Sequence, residues 1–416
     1  MDPAADLNAA LLRAHPAAAR CLSPLGRRLY FPKGIPVQSR EAAGARYNAT
    51  IGQLRGADGH AAPLPALAPM LQGVDPDEAF LYAPQGGLPR LRQAWARRLA
   101  ARAAPGAAPT LSLPFVTGGI THALSLLADL FVGPETRVLL PDPAWDNYIH
   151  IFGTKAEGRL STYRAVGPAG LDLDALAQGL AALQGPALVV LNLPSNPGGY
   201  APTLDQAEQL AQLLAAQPGP LVVLLDDAYQ GMVWDEGHLA QSLLHRLGAL
   251  ADPERLLVVS ADGATKELFF FGGRVAFATF ATTAEAAPAL EEKLTAAVRV
   301  SVSCASSPAQ AMVATALADP EIDAQRDVLH ADLAGRWRAL RGALAAEGVE
   351  AWPFNAAFFA LLPVRGEPEA LRRALLADGL GLVSAGAGQN LRLSYATLQA
   401  DEMGPVAAIL AKRVQA

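Results

Sequence analysis

Four short segments hold the side chains that could do chemistry together. The first is Ser260-Ala-Asp-Gly-Ala-Thr265-Lys266, with Arg274 eight residues further on. A lysine that follows an apolar run can be buried, and burial beside a cation lowers its pKa enough to free an amine nucleophile. Arg274 could hold a phosphate bidentately. Taken alone, such a lysine is more often a solvated loop residue. The second is Leu225-Asp226-Asp227-Ala-Tyr229. A carboxylate ending an apolar strand is costly without a partner, and ligands bind at that edge of open α/β sheets. Asp226 could pair with a cationic ring nitrogen; Asp226 or Asp227 could equally cap a helix. The third is Val116-Thr-Gly-Gly119-Ile120-Thr121-His122-Ala123. Glycines between a strand and a helix gather amide N–H groups and a hydroxyl into an anion site, or form an ordinary tight turn. It is neither the GxGxxG fingerprint nor a P-loop. The fourth is the turn Leu193-Pro-Ser-Asn196-Pro-Gly198-Gly199.

The elements that must position these residues alternate from about 87 to 280. A helix-like run follows Gly87. Strand-like runs read at 115–118, 138–142, 187–194, 221–228, 256–262 and 275–280. Their uninterrupted apolar character predicts strands buried on both faces. Thr203-Leu-Asp-Gln206 reads as a capping box opening a helix with Leu210, Leu213 and Leu214 on one face. The alternation predicts a mostly parallel sheet covered by helices, with room for an antiparallel strand. From about 300 the texture changes to a long helix at 321–347, a strand at 356–364, a helix at 367–378 and a strand at 391–396. That predicts a large domain over 62–300 and a smaller α+β domain over 301–416, with residues 1–61 as an irregular arm packed on it.

Composition removes other classes. Hydrophobic residues make up 51% and charged residues 17%, which excludes a mainly disordered chain. The net charge of −6 argues against a nucleic-acid footprint. Two distant cysteines, Cys21 and Cys304, form neither a disulfide framework nor a zinc motif, and suit a reducing cytoplasm. No apolar run of about 20 residues predicts a membrane span. Only five of 33 basic residues are lysines: Lys33, Lys155, Lys266, Lys293 and Lys412. All except Lys266 lie outside these motifs and read as solvated. The arginine-rich stretch 92–102 reads as a solvated helix face.

In this order the four segments resemble the class I and II aminotransferases, fold-type I pyridoxal-phosphate enzymes, and the aspartate and aromatic aminotransferases in particular. Tyr82-Ala-Pro-Gln-Gly-Gly87-Leu88, Asp142-Pro-Ala-Trp145-Asp-Asn147, Asn48-Ala-Thr-Ile-Gly52 and Leu391-Arg392-Leu393-Ser394 extend the resemblance over nearly the whole chain. It implies a seven-stranded, mostly parallel sheet in the large domain and a homodimer with shared sites. It implies that Lys266 would carry pyridoxal 5'-phosphate as an imine and shuttle a proton. Asp226 would pair with the pyridine nitrogen, and Tyr229 and Asn196 would bond the phenolic oxygen. Trp145 would stack on the ring. Ile120, Thr121 and Arg274 would hold the phosphate, with Tyr82 reaching in from the neighbouring subunit. Arg392 would clamp the substrate α-carboxylate, and Gly52 would lie in the arm that closes over it.

Two positions depart from the family pattern. Gly263 stands where a hydroxyl residue is usual, so that phosphate contact is either missing or supplied by Thr265, and Gly198 replaces a threonine. Arg299 resembles the arginine that some members send across the dimer to a distal carboxylate, or is a surface residue. The first choice favours dicarboxylates, though aromatic substrates stay open. His122 reads as structural or pocket-lining, and Phe269-Phe270-Phe271 as core. The implied activity is a ping-pong transfer of an amino group between an amino acid and a 2-oxo acid. A β-lyase or decarboxylase on the same fold is the alternative, and a non-catalytic regulator the remote one.

Overall fold

The six apolar runs pair, together with one polar edge strand, into one seven-stranded sheet. This computed structural model describes residues 4–14, 19, 22, 24–28, 35–60, 62–67, 74–103, 109–385 and 389–414. The strands are β1 (Phe115–Thr117), β2 (Arg137–Asp142), β3 (Arg159–Arg164), β4 (Ala187–Leu191), β5 (Leu221–Asp226), β6 (Leu256–Gly263) and β7 (Ala276–Ala281). Their order is β1-β7-β6-β5-β4-β2-β3. Every pairing is parallel except those of β7, which runs antiparallel to β1 and β6.

The period of two within each strand divides the core between the two faces. Leu188, Val190 and Leu224 enter one cluster, while Val189, Leu191, Val223 and Leu225 enter the other. Strand β3 has no counterpart in the sequence reading. It is an edge strand, and Arg159, Ser161, Thr162 and Arg164 face solvent, so no apolar run marks it.

Helices α1 (Pro89–Ala101), α2 (Ile120–Phe131), α3 (Leu204–Ala215), α4 (Ala286–Ser301) and α5 (Ile322–Ala346) are connected with the strands. The capping box at α3 is present: Gln206 N donates to Thr203 Oγ1, and Thr203 N donates to Gln206 Oε1, both at 3.1 Å. Leu210 and Leu214 are buried beneath it, with Leu213 partly so.

The C-terminal part adds α6 (Pro368–Ala377), α7 (Met403–Val414) and a second sheet. Its strands β8 (Phe359–Pro363), β9 (Val383–Ala385) and β10 (Asn390–Ser394) are antiparallel in the order β8-β10-β9. The first 60 residues are less irregular than expected, since Ala5–Ala14, Pro24–Arg28 and Ile35–Glu41 are helical. Tyr47–Asn48 pairs in parallel with Leu380–Gly381. The chain then runs beside β10, where Ser394 N donates to Ala49 O at 2.8 Å and Ser394 Oγ to Ile51 O at 2.9 Å.

Two surface expectations change. The arginines of 92–102 are not uniformly solvated: Arg92 is buried against Glu291, and Arg98 and Arg102 grip the buried Glu267. Lys155 is half-buried on Asp129 and the carbonyl of Ser125. Lys293 and Lys412 are exposed, while Lys33 and Cys21 lie outside the described residues.

Gly199 fastens the Asn196 turn to the second sheet. Its carbonyl accepts from Asn355 N at 2.8 Å and Ala356 N at 2.9 Å. Its φ is +67°, and an added Cβ would lie 2.0 Å from the carbonyl oxygen of Phe359. Both the backbone region and the space require glycine. Gly199→Ala is expected to cost more than about 1 kcal/mol of unfolding free energy in urea titration. A loss within error of zero would refute this account of the turn.

Candidate active site

Because the strands that end at Thr117, Leu191, Asp226 and Gly263 are parallel, their C-terminal ends share one edge. A cavity of about 250 Å³ opens there. Lys266, Asp226, Tyr229, Asn196 and Trp145 line it, as do Ile120, Thr121, Thr265, Arg274, Gly52 and Arg392. Two expected residues lie elsewhere on this chain. Tyr82 is 90% exposed beside exposed Phe80 and Leu81. Arg299 is exposed on the last turn of α4, with Nη1 donating to Ser303 Oγ at 3.0 Å.

The charges inside the cavity are arranged against one another. Asp226 is buried; burial raises its pKa, opposed by the bond from Tyr148, by Lys266 and by the Ala228 amide. Tyr148 Oη donates to Asp226 Oδ2 at 2.6 Å. Burial lowers the pKa of Lys266; Asp226 pulls it back up and Arg274 presses it further down. The Lys266 Nζ lies 5.3 Å from the centre of the Tyr229 ring. Burial raises the Tyr229 hydroxyl, and Arg392 and a bond from Asn196 oppose the rise.

Arg392 comes from β10, across from this edge. Its Nη1 donates to Asn196 Oδ1 at 2.9 Å and its Nη2 to Thr50 O at 2.6 Å, with Phe359 stacked 4.6 Å away. Burial brings its pKa down to about 10. Gly52 leaves space for Phe359, since an added Cβ would lie 2.6 Å from the ring.

The other end of the cavity suits an anion. Helix α2 starts at Ile120, so its first amides lie at the end of the helix dipole. Gly119 has φ +94°, and an added Cβ would fall 2.3 Å from Nη2 of Arg274. His122 holds the turn: Gly118 N donates to its Nδ1 at 3.0 Å, and burial followed by Lys155 lowers its pKa. Thr265 Oγ1 and Arg392 Nε are buried on the lining residues with no hydrogen-bond partner. Unpartnered groups at both ends fit a ligand with anionic groups at both ends.

Several contributors were not foreseen. Asn192 Nδ2 donates to the Asp226 carbonyl at 2.8 Å, and its Oδ1 accepts from Asn196 N at 2.7 Å. A polar residue directly after the apolar β4 was the available signal. Tyr148 carried none beyond its nearness to Trp145, against which it packs edge-on. Phe271 and Phe359 also line the cavity. For Phe271 this corrects the reading of Phe269-Phe270-Phe271 as core alone; Phe269 does belong to the core.

Solved aminotransferases share this architecture. An aminotransferase from Anaerococcus prevotii superposes with a TM-score of 0.82 at 18% identity, covering 93% of this chain and 97% of that one. The aspartate aminotransferase of Thermus thermophilus, solved with maleate, gives 0.76 at 20% identity, covering 94% and 99%. The fold is therefore fold-type I. The family model "Aminotransferase class I and II" matches residues 47–410, and the chain belongs to that family. The cytoplasmic aspartate aminotransferase of Oryza sativa is 33% identical over 189 residues, 44% of this chain and 45% of that protein. Aspartate aminotransferase of Escherichia coli K12 is 31% identical over 214 residues, 50% and 52%. The matched stretches thus span about half the length of these relatives. Among the described residues, no helix is long and apolar enough to cross a membrane, and no group of three or more His, Cys, Asp or Glu could hold a metal ion.

Asp227, beside the site, accepts from Ser260 Oγ at 2.5 Å and Ser242 Oγ at 2.6 Å. Burial pushes its pKa up to about 6, with the serines opposing and Asp226 adding to the rise. The native state therefore holds a proton that the unfolded chain has released, and this group's contribution to stability falls as pH rises from about 4 to 6. Asp227→Asn should remove that slope. The unfolding free energy of the variant minus that of the wild type is expected to increase over the window in urea titrations; parallel curves would contradict the assignment.

Proposed function

We propose that the chain is a pyridoxal-phosphate-dependent aminotransferase that moves an amino group between an amino acid and a 2-oxo acid in two half-reactions at one site. The observation that supports this best is that Lys266 and Asp226 line one cavity together with two arginines, Arg274 and Arg392, and that Asp226 acts electrostatically on Lys266. When bound, pyridoxal phosphate supplies an imine-forming carbonyl and an electron sink. Lys266 is the residue that would hold it covalently. Asp226, kept in place by Tyr148 and Asn192, would hold its ring nitrogen protonated. Tyr229 and Asn196 would bond its phenolic oxygen, and Trp145 would cover its ring. The α2 amides at Ile120 and Thr121, with Thr265 and Arg274, would hold its phosphate.

Arg392 binds the substrate α-carboxylate, orienting the α-hydrogen toward Lys266. The lowered pKa of Lys266 leaves more of its amine free to accept that proton at neutral pH and return it. Gly52 and Phe359 close the substrate side and exclude water. The exposed Phe80-Leu81-Tyr82 row supports a homodimer in which Tyr82 completes the partner's phosphate site and Arg299 the partner's substrate site. With Arg299 there, dicarboxylates such as aspartate and glutamate are the preferred substrates; maleate, found with the Thermus thermophilus relative, is of that class. Residues 62–300 form the cofactor-binding domain, and 1–61 with 301–416 the smaller one.

Lys266→Ala should abolish borohydride-trapped pyridoxal on the protein, read by peptide mass spectrometry. Adduct retained on another lysine in the Lys266→Ala variant would sink the assignment. In a panel of amino donors with 2-oxoglutarate, Arg299→Ala should raise KM for dicarboxylates by about 10-fold or more while leaving aromatic donors nearly unchanged. Equal effects on both would remove Arg299 from the substrate site. Release of ammonia and pyruvate in place of a new amino acid would indicate a lyase.

A further inference from the structure

The lysine stands on a single helical turn, Ala264–Glu267, between two carboxyl side chains that take no part in the proposed reaction. Glu267 follows it directly, is 5% exposed, and is turned away from the cavity. Arg98 and Arg102 of the α1 segment both grip Glu267; Arg102 Nη1 donates to its Oε2 at 3.0 Å. Arg98 also donates to Asp323 Oδ1 on α5 at 2.6 Å. Asp262, four residues before the lysine, accepts from Trp95 Nε1 of the same α1 at 2.8 Å, and Trp95 stacks on Phe277 of β7 at 4.3 Å. Helix α1 therefore holds the chain on both sides of Lys266.

Stability alone gives no good reason for this arrangement. Taking a carboxylate and two guanidinium groups out of water is costly, and well-packed apolar side chains often serve as well or better. Ion-paired forks do fix geometry, because each guanidinium offers planar, directed donors. A one-turn helix has almost no stability of its own, so its orientation must come from outside. Burial works against the Glu267 carboxylate, yet Arg102 and Arg98 hold its pKa at about 2, so the clamp is charged throughout the physiological range.

We propose that Glu267, clamped by Arg98 and Arg102, is a positioning residue that aims Lys266 into the cavity. It touches neither substrate nor cofactor and acts only through the turn that carries the lysine. This rests on the reading of Lys266 as the cofactor-binding lysine. Loss of the clamp leaves the lysine present but its direction unspecified. Capture of the cofactor at Lys266 should then weaken more than global stability requires.

The test uses the full-length protein, titrated with pyridoxal 5'-phosphate, reduced with borohydride and mapped by peptide mass spectrometry. Thermal unfolding of the cofactor-free protein is followed alongside. Glu267→Gln keeps the shape and removes the charge; Arg102→Gln, at the end of α1, breaks the same clamp from the other side should the first variant fold poorly. Leu214→Ala, in the core on the far face of the sheet, supplies a loss of Tm without touching the clamp. Both clamp variants are expected to bind at Lys266 about ten-fold more weakly, with lower kcat and unchanged KM for the amino acid, while Leu214→Ala stays within about two-fold of wild type. Wild-type affinity in a folded clamp variant overturns the proposal, as does equal weakening in Leu214→Ala at equal loss of Tm. Adduct away from Lys266 in the wild type overturns the cofactor reading itself, and this proposal with it.

Discussion

The site depends on one electrostatic constraint: Asp226 is buried at the C-terminal end of an apolar strand, and the amine of Lys266 shares its cavity. Neither charge is affordable alone. Burial drives the acid toward its neutral form and the amine toward its free form, and each partially restores the other. The Tyr148 hydroxyl, the Ala228 amide and the Asn192 side chain complete the environment of Asp226 and its backbone. Truncating either would leave the other without its charged counterpart in the cavity.

The same constraint extends to parts of the chain far apart in sequence. Arg392 reaches the cavity from β10, and its two bonds, to Asn196 and to the Thr50 carbonyl, join the turn after β4, the segment after Tyr47 and the second sheet. The carbonyl of Gly199 makes a parallel connection to Asn355 and Ala356. Through them the polar groups of the cavity define how the two sheets meet, while the larger apolar cluster continues from one to the other.

The sequence showed what repeats or recurs and concealed what depends on context. Six of seven strands in the main sheet were legible because a strand covered on both faces is an apolar run; β3 was not, because an edge strand need not be. The capping box at Thr203 is local chemistry and was readable as such. Lys266, Asp226 and Arg392 were marked by spacing within motifs. Tyr148 could not be found that way, because only the folded chain shows which donor reaches a buried carboxylate. The arginines of α1 misled for the same reason: an amphipathic helix displays its charges, and their partner Glu267 lies more than 160 residues further on.

The single reversed strand has a topological consequence. A parallel connection after β6 would have carried the chain away from the C-terminal edge and down a face of the sheet before the next strand could begin. Because β7 runs the other way, residues 264–275 start and finish at the same edge. Lys266 and Arg274 thus belong to one closed loop with both feet in the sheet. Their separation is bounded by chain geometry before any side chain packs, so the lysine and the arginine are delivered as a single prefabricated piece.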